Sequence, residues 1–192
     1  MKKRTAIIGA LVSLLPLGQP LVIGTGAALT SAATILAIPE GAKAESVNFL
    51  YERGNRRQES GDYYGAIADY TRAIEINPRY ANAYNNRGNT KYELEDYYGA
   101  IADYTRAIEI NPRYDKAYYN RAISKRKLED YYGAIADYTR AIEINPRYVD
   151  AYYNRGFAKK NLGDMQGACA DWREASYLGD KDAAKLARNQ CQ

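Results

Sequence analysis

Between residues 47 and 182, apolar and small side chains return every three or four positions, and polar breaks interrupt them at regular intervals. Ala66, Ile67, Tyr70, Ala73 and Ile74 share one face of a helix at this spacing. Asn77 and Pro78 end that helix, because a proline ring pushes the residue before it out of the α region. A second helical stretch precedes it in each unit, as in AYNNRGNTKYEL. The pattern predicts an all-α chain of helix pairs.

The pairs repeat with a period of 34 residues, marked by Asp62, Asp96, Asp130 and Asp164 and by Pro78, Pro112 and Pro146. The stretch DYYGAIADYTRAIEINPRY stands unchanged at residues 62–80, 96–114 and 130–148, and a divergent fourth unit keeps Ala168, Trp172 and Ala175 in phase. Four units fill residues 47–80, 81–114, 115–148 and 149–182. Small residues face each other within a pair, Gly88 against Ala100 and Ala107, so two helix axes approach closely with Tyr104 beside them. One such pair cannot bury its apolar face alone, and stacking copies is the folding solution.

A 34-residue helix-turn-helix with these markers resembles the tetratricopeptide repeat family over residues 47–182. The family's opening aromatic falls on Tyr84, Tyr118 and Tyr152, with Leu50 in the first unit, and its small residue on Gly54, Gly88, Ala122 and Gly156. Its second-helix set falls on Ala66, Tyr70 and Ala73 and their equivalents. Where the family pattern has Leu this chain has Arg53, Arg87, Arg121 and Arg155, and where it has Tyr there is Arg57, Lys91, Lys125 or Lys159. Each such Arg is followed sixteen residues later by Asp69, Asp103, Asp137 or Asp171, and antiparallel helices would bring the two together as a pair inside every repeat.

Leu178 and Gly179 stop the last helix where the other units carry Asn-Pro, and Asp180 is a good N-cap for KDAAKLARNQ. Residues 180–192 are expected to form the polar cap that a solenoid requires. Cys169 on the last repeat and Cys191 at the end of the cap either face each other as a disulfide or remain one buried and one exposed thiol.

The resemblance implies that the first helices line a concave groove for a protein or peptide. These are the helices that vary between units, and ligand contacts belong there. The groove positions are Tyr51 and Asn55, then Asn82, Asn85, Asn86 and Asn89, then Lys116, Tyr119, Ile123 and Arg126, then Tyr153 and Phe157. Amides in the middle offer paired donors and acceptors to an extended backbone, and aromatics on either side offer stacking surface. A chaperone-binding subfamily holds acidic chain ends in a two-carboxylate clamp. Asn55, Asn86 and Lys116 occupy three of its five positions, but Tyr51 and Asn120 stand where it needs a Lys and an Arg.

Residues 5–39 carry no charge and follow the basic start Lys2, Lys3, Arg4, which reads as a membrane-targeting segment. Ala42 and Ala44 fit the positions a signal peptidase reads, so removal after Ala44 is expected. The alternative is an uncleaved anchor over residues 21–38, 18 uncharged residues and just enough to span a bilayer. Either way the repeats are expected to be exported, in a periplasm or lumen.

Four of the 27 basic and one of the 23 acidic side chains precede residue 45, so the remainder carries +1 and offers no footprint for nucleic acid. The chain has no His, which removes His-based triads, HExxH zinc sites and the usual general base. Cys169 thus has no His partner. No catalytic residue, metal or cofactor is expected. The reading is a non-catalytic binding module for scaffolding or assembly. The alternative is a structural, self-associating envelope protein that uses surface tyrosines or the cap.

Overall fold

A computed structural model of the chain describes residues 40–191, with side chains from residue 46. The expected targeting segment therefore lies outside the described residues. Within them the chain runs as α1 (Glu40–Glu59), α2 (Tyr63–Ile76), α3 (Ala81–Glu93), α4 (Tyr97–Ile110), α5 (Asp115–Lys127), α6 (Tyr131–Ile144), α7 (Val149–Asn161), α8 (Met165–Tyr177) and α9 (Lys181–Gln190). None of these helices is long and apolar enough to cross a membrane. α1 begins at Glu40, ahead of the expected start of the first repeat and of the expected cleavage position.

The unchanged DYYG motif explains how each second helix starts. Asp62, Asp96, Asp130 and Asp164 are N-caps whose carboxylates accept from the backbone N–H of Gly65, Gly99, Gly133 and Gly167. A Cβ on any of these glycines would sit 2.0 to 2.1 Å from the second oxygen of the capping carboxylate, so the cap and the glycine require each other. At the other end Asn77 and Asn111 leave the helix in extended conformation, Asn145 leaves it at φ -129° and ψ 88°, and the three side chains accept from the N–H of Arg79, Arg113 and Arg147.

Each helix pair closes on a stripe of small residues. Ala66, Ala73, Ala100, Ala107, Ala134 and Ala141 are fully buried, with Tyr70, Tyr104, Tyr138 and finally Trp172 as the large side chains between them. α1 packs on α2, α3 on α4, α5 on α6 and α7 on α8, and each second helix also packs on the first helix of the next pair. Only the first helices approach one another appreciably across pairs, α1 to α3 to α5 to α7, so they form the inner row of the curve.

The spacing of sixteen residues does bring each Arg to its Asp. Arg87 Nε and Nη2 donate to Asp103 at 2.9 and 2.6 Å, and Arg53, Arg121 and Arg155 meet Asp69, Asp137 and Asp171 in the same fork. The basic residue one turn on joins in, with Lys91 Nζ 2.8 Å from Asp103. Arg87 Nη1 also donates to Thr71 of the preceding pair, as Arg121 does to Thr105 and Arg155 to Thr139. Each guanidinium lies over an aromatic ring, Phe49, Tyr84, Tyr118 or Tyr152. Arg87, Arg121 and Arg155 each tie the two helices of their own pair to the preceding pair, and a Lys one turn on shares the same carboxylate.

α9 starts on Asp180, which accepts from the N–H of Asp182 and Ala183, and lays Ala183 and Leu186 on the last core around Trp172. Cys169 and Cys191 are joined as a disulfide, their Cα atoms 5.5 Å apart.

Candidate functional site

The inner row places the same helical positions of α1, α3, α5 and α7 beside each other. Asn55, Asn89, Ile123 and Phe157 form one line, and Gln58, Tyr92, Arg126 and Lys160 another. Between the first two helices and the start of α2, Asn55, Gln58, Glu59, Tyr63, Asn86, Asn89 and Glu93 line a cleft of about 510 Å³. A smaller cleft of about 290 Å³ continues it toward α5, lined by Gln58, Asn89, Tyr92, Glu93, Tyr104, Asn120 and Ile123.

The amides in these clefts are ordered from behind. Asn86 Nδ2 donates to Tyr51 Oη and Asn55 Oδ1 in the preceding helix, each at 2.9 Å. Asn120, one period later, does the same to Asn85 at 3.2 Å and Asn89 at 3.0 Å. Asn154 continues the ladder to Tyr119 Oη, and takes the Asp150 carbonyl where Ile123 offers no acceptor. From the second helices, Tyr70 Oη donates to Asn55 Oδ1 and Tyr104 Oη to Asn89 Oδ1. Both lone-pair sides of these two carbonyls are thus occupied. Asn89 Nδ2 has no hydrogen-bond partner among the described residues, the Asn55 amide also acts on the Tyr51 phenol, and both residues line the larger cleft.

Burial raises the proton affinity of the phenols in this layer. Tyr51, Tyr70, Tyr104 and Tyr119 are all shifted up, chiefly by desolvation. They therefore act as hydroxyl donors and acceptors and not as anions. Glu59 and Glu93 are exposed at the cleft rim.

Several sequence-predicted groove residues do not meet at the clefts. Asn82 and Lys116 are exposed at the first turns of α3 and α5 and line neither. Asn85 is buried within the amide ladder and donates to Asn86. Tyr51 and Tyr119 are half-buried, with their rings packed at a tilt against Tyr80 and Tyr148. Tyr153 and Phe157 pack edge to face with each other, and Phe157 in turn against Trp172, at the last core. Gln58, Tyr63 and Tyr92 were not among the expected residues. Comparing positions one period apart is the signal that finds Gln58 and Tyr92, since they vary where the surrounding scaffold is fixed.

Two family profiles match this chain, one described as TPR repeat over residues 54–94 and 124–163, and one as tetratricopeptide repeat over residues 81–114. The chain belongs to the tetratricopeptide repeat family. A search of curated proteins found no match. Among solved structures, this tetratricopeptide chain is similar to the crystal structure of MamA, with 25% identity, 75% of this chain and 84% of that chain covered, and a TM-score of 0.68. It is also similar to the Arabidopsis OM64 TPR domain, with 29% identity, 62% and 98% covered, and a TM-score of 0.60. A third similar structure is the first TPR of Spaghetti (RPAP3) bound to HSP90 peptide SRMEEVD, with 27% identity, 62% and 94% covered, and a TM-score of 0.61. Repeats of this kind form a protein-binding scaffold module.

Proposed function

We propose that this protein holds an extended segment of a partner protein across α1, α3 and α5, as a scaffold or assembly factor outside the cytoplasm. One observation carries the reading: the carbonyls of Asn55 and Asn89 are held in place by neighbouring side chains while the Asn89 Nδ2 hydrogens remain to be accepted, beside a cleft of about 510 Å³ that both residues line. A peptide backbone supplies such acceptors at regular intervals. The TPR domain bound to an HSP90 peptide supports this use of the surface. A clamp for acidic chain ends is not what this groove offers, because Tyr51 and Asn120 replace the needed cations and the amides of Asn86 and Asn120 are spent between repeats.

Export is supported by the basic start and uncharged run of residues 2–39, and by the disulfide between Cys169 and Cys191, which oxidising compartments preserve. In-cell photocrosslinking tests the groove. A photoreactive residue in place of Glu93, at the cleft rim, is expected to give a defined protein adduct that the same residue in place of exposed Glu75 does not. No adduct, or the same adduct from both, sinks the groove reading.

A second reading is favoured by one surface feature. Tyr64, Tyr98 and Tyr132 are 76–77% exposed at one-period intervals and form a repeated aromatic edge suited to self-association. Molecular mass in light scattering that rises with concentration, and falls back in a triple Tyr-to-Ser variant, decides for it.

A further inference from the structure

Gln58, Tyr92 and Arg126 occupy equivalent positions on successive first helices, and the first two line the clefts. Arg126 therefore follows next along the same face, one turn past Ile123 of the smaller cleft. Unlike Arg53, Arg87, Arg121 and Arg155, it has no carboxylate partner among the described residues. Its Nε is buried and accepted by nothing.

Tyr138 stands to it as Tyr70 stands to Gln58, the pair that is hydrogen-bonded two repeats earlier; it is wholly buried, and its hydroxyl is likewise without a partner. In the two preceding repeats the matching hydroxyls are taken up by Asn55 and Gln58 and by Asn89. Here Ile123 stands at the Asn position and offers no acceptor. Burial pushes the Tyr138 phenol up to about 12, and the Arg126 guanidinium pulls against that shift through its charge and a loose hydrogen-bonding approach, although no bond of normal geometry joins Arg126 Nε or Tyr138 Oη to any partner. Buried polar atoms left unpaired are costly, and native structures keep few of them.

The two vacancies are complementary, because Nε–H is a donor only and the phenol oxygen can accept. A small turn of the guanidinium that sets Nε–H on Tyr138 Oη satisfies both. It also fixes Nη1 and Nη2 as a planar fork, the geometry that receives a carboxylate. We infer that Arg126, oriented by Tyr138, receives the side-chain carboxylate of an Asp or Glu in the bound partner segment.

This inference rests on the groove reading above and gives it a direction. Lys127 adds positive charge beside Arg126, while Glu59 and Glu93 are carboxylates at the other end of the cleft. The segment thus carries its acid over the third repeat and a base over the first two. An internal residue is meant, since the same face continues past Arg126 to Phe157 and Lys160. The site is also displaced from the family's clamp, whose positions fall on Tyr51, Asn55, Asn86, Lys116 and Asn120.

A random-peptide library displayed on phage, panned on the full chain and on Arg126→Gln, tests this. The chain is expected to enrich Asp or Glu at one peptide position, and Arg126→Gln to lose that preference while keeping the others. Changing the selected Glu to Gln in the best peptide is expected to weaken it roughly ten- to hundredfold, the range of a charge-assisted hydrogen bond. Tyr138→Phe separates positioning from packing: it is expected to weaken the Glu peptide and leave its Gln counterpart unchanged, whereas loss of a merely packed hydroxyl moves both alike. No acidic preference, or one that survives Arg126→Gln, overturns the assignment and leaves the groove standing. Enrichment of no peptide by either protein overturns both.

Discussion

Arg87 of α3 forks onto Asp103 of α4, with hydrogen bonds of 2.9 and 2.6 Å, and the carboxylate is only 6% exposed. Removing one member of a buried pair leaves an uncompensated charge, which costs about 3–5 kcal/mol. Lys91 Nζ remains 2.8 Å from the same carboxylate and offsets part of this. Arg87→Ala is therefore expected to cost about 3 kcal/mol in denaturant unfolding, and the apolar double variant Arg87→Met with Asp103→Leu to recover most of it. A double variant as unstable as the single one would show that the fork is not what Arg87 contributes.

The close approach of the helices depends on a missing methyl group at two kinds of site. A Cβ on Gly88 would lie 2.7 Å from Tyr104 Cε1, and one on Gly156 2.5 Å from Trp172 Nε1. The third repeat already carries Ala122 at this position against Tyr138, so a tyrosine can give way. Trp172 is larger and is held by its Nε1–H donating to the Tyr153 carbonyl. Gly88→Ala is expected to be near neutral, its clash offset by helix propensity gained, while Gly156→Ala is expected to cost about 1–3 kcal/mol. Equal melting shifts for the two would contradict the distinction.

Much of this architecture was legible because the scaffold is copied. The period of 34, the Asn-Pro stops and the Ala stripe state the fold, and the sixteen-residue spacing states the Arg–Asp fork. The groove was less legible. Asn82 and Lys116 lie on α3 and α5, at their exposed first turns, and line neither cleft. The free donor of Asn89 depends on which side of the amide the neighbouring repeat consumes, and the vacancy at Tyr138 depends on Ile123, fifteen residues away in sequence but packed in the same core cluster. Such effects are pairwise across repeats, and no one segment carries them.

Ionisation links these buried groups to pH at both extremes. The Arg53 fork, helped by the charges of Arg53, Arg57 and Arg72 and opposed by burial, holds Asp69 below the ordinary carboxylate value. A depressed folded pKa gives stability that is fully present above about 3.9 and is lost as pH falls through the lowered value. The phenols run the other way. Burial raises Tyr70, Tyr104, Tyr119 and Tyr148, and takes Tyr114 and Tyr138 to about 12. Raised folded values give stability that is present below about 10 and is lost as pH rises, since the unfolded chain releases those protons first. Helical circular dichroism and tyrosinate absorbance are expected to change together in one steep step between pH 10 and about 12. Tyrosinate forming smoothly while the helices persist would refute this.

The disulfide between Cys169 and Cys191 closes a loop of 22 residues around the end of α8 and the cap. Constraining a loop of that size contributes on the order of 3 kcal/mol, but in a solenoid each unit is coupled only to its neighbours. The contribution should therefore stay at one end of the molecule. α9 buries only Ala183 fully, so without the bond it has little to hold it on Trp172. Reduction, or the double variant Cys169→Ser with Cys191→Ser, is expected to raise amide hydrogen exchange in α9 and the second half of α8 while leaving α3 to α6 protected. Uniform loss of protection along the whole chain would show instead that the cap nucleates the entire stack and that the repeats unfold as one unit.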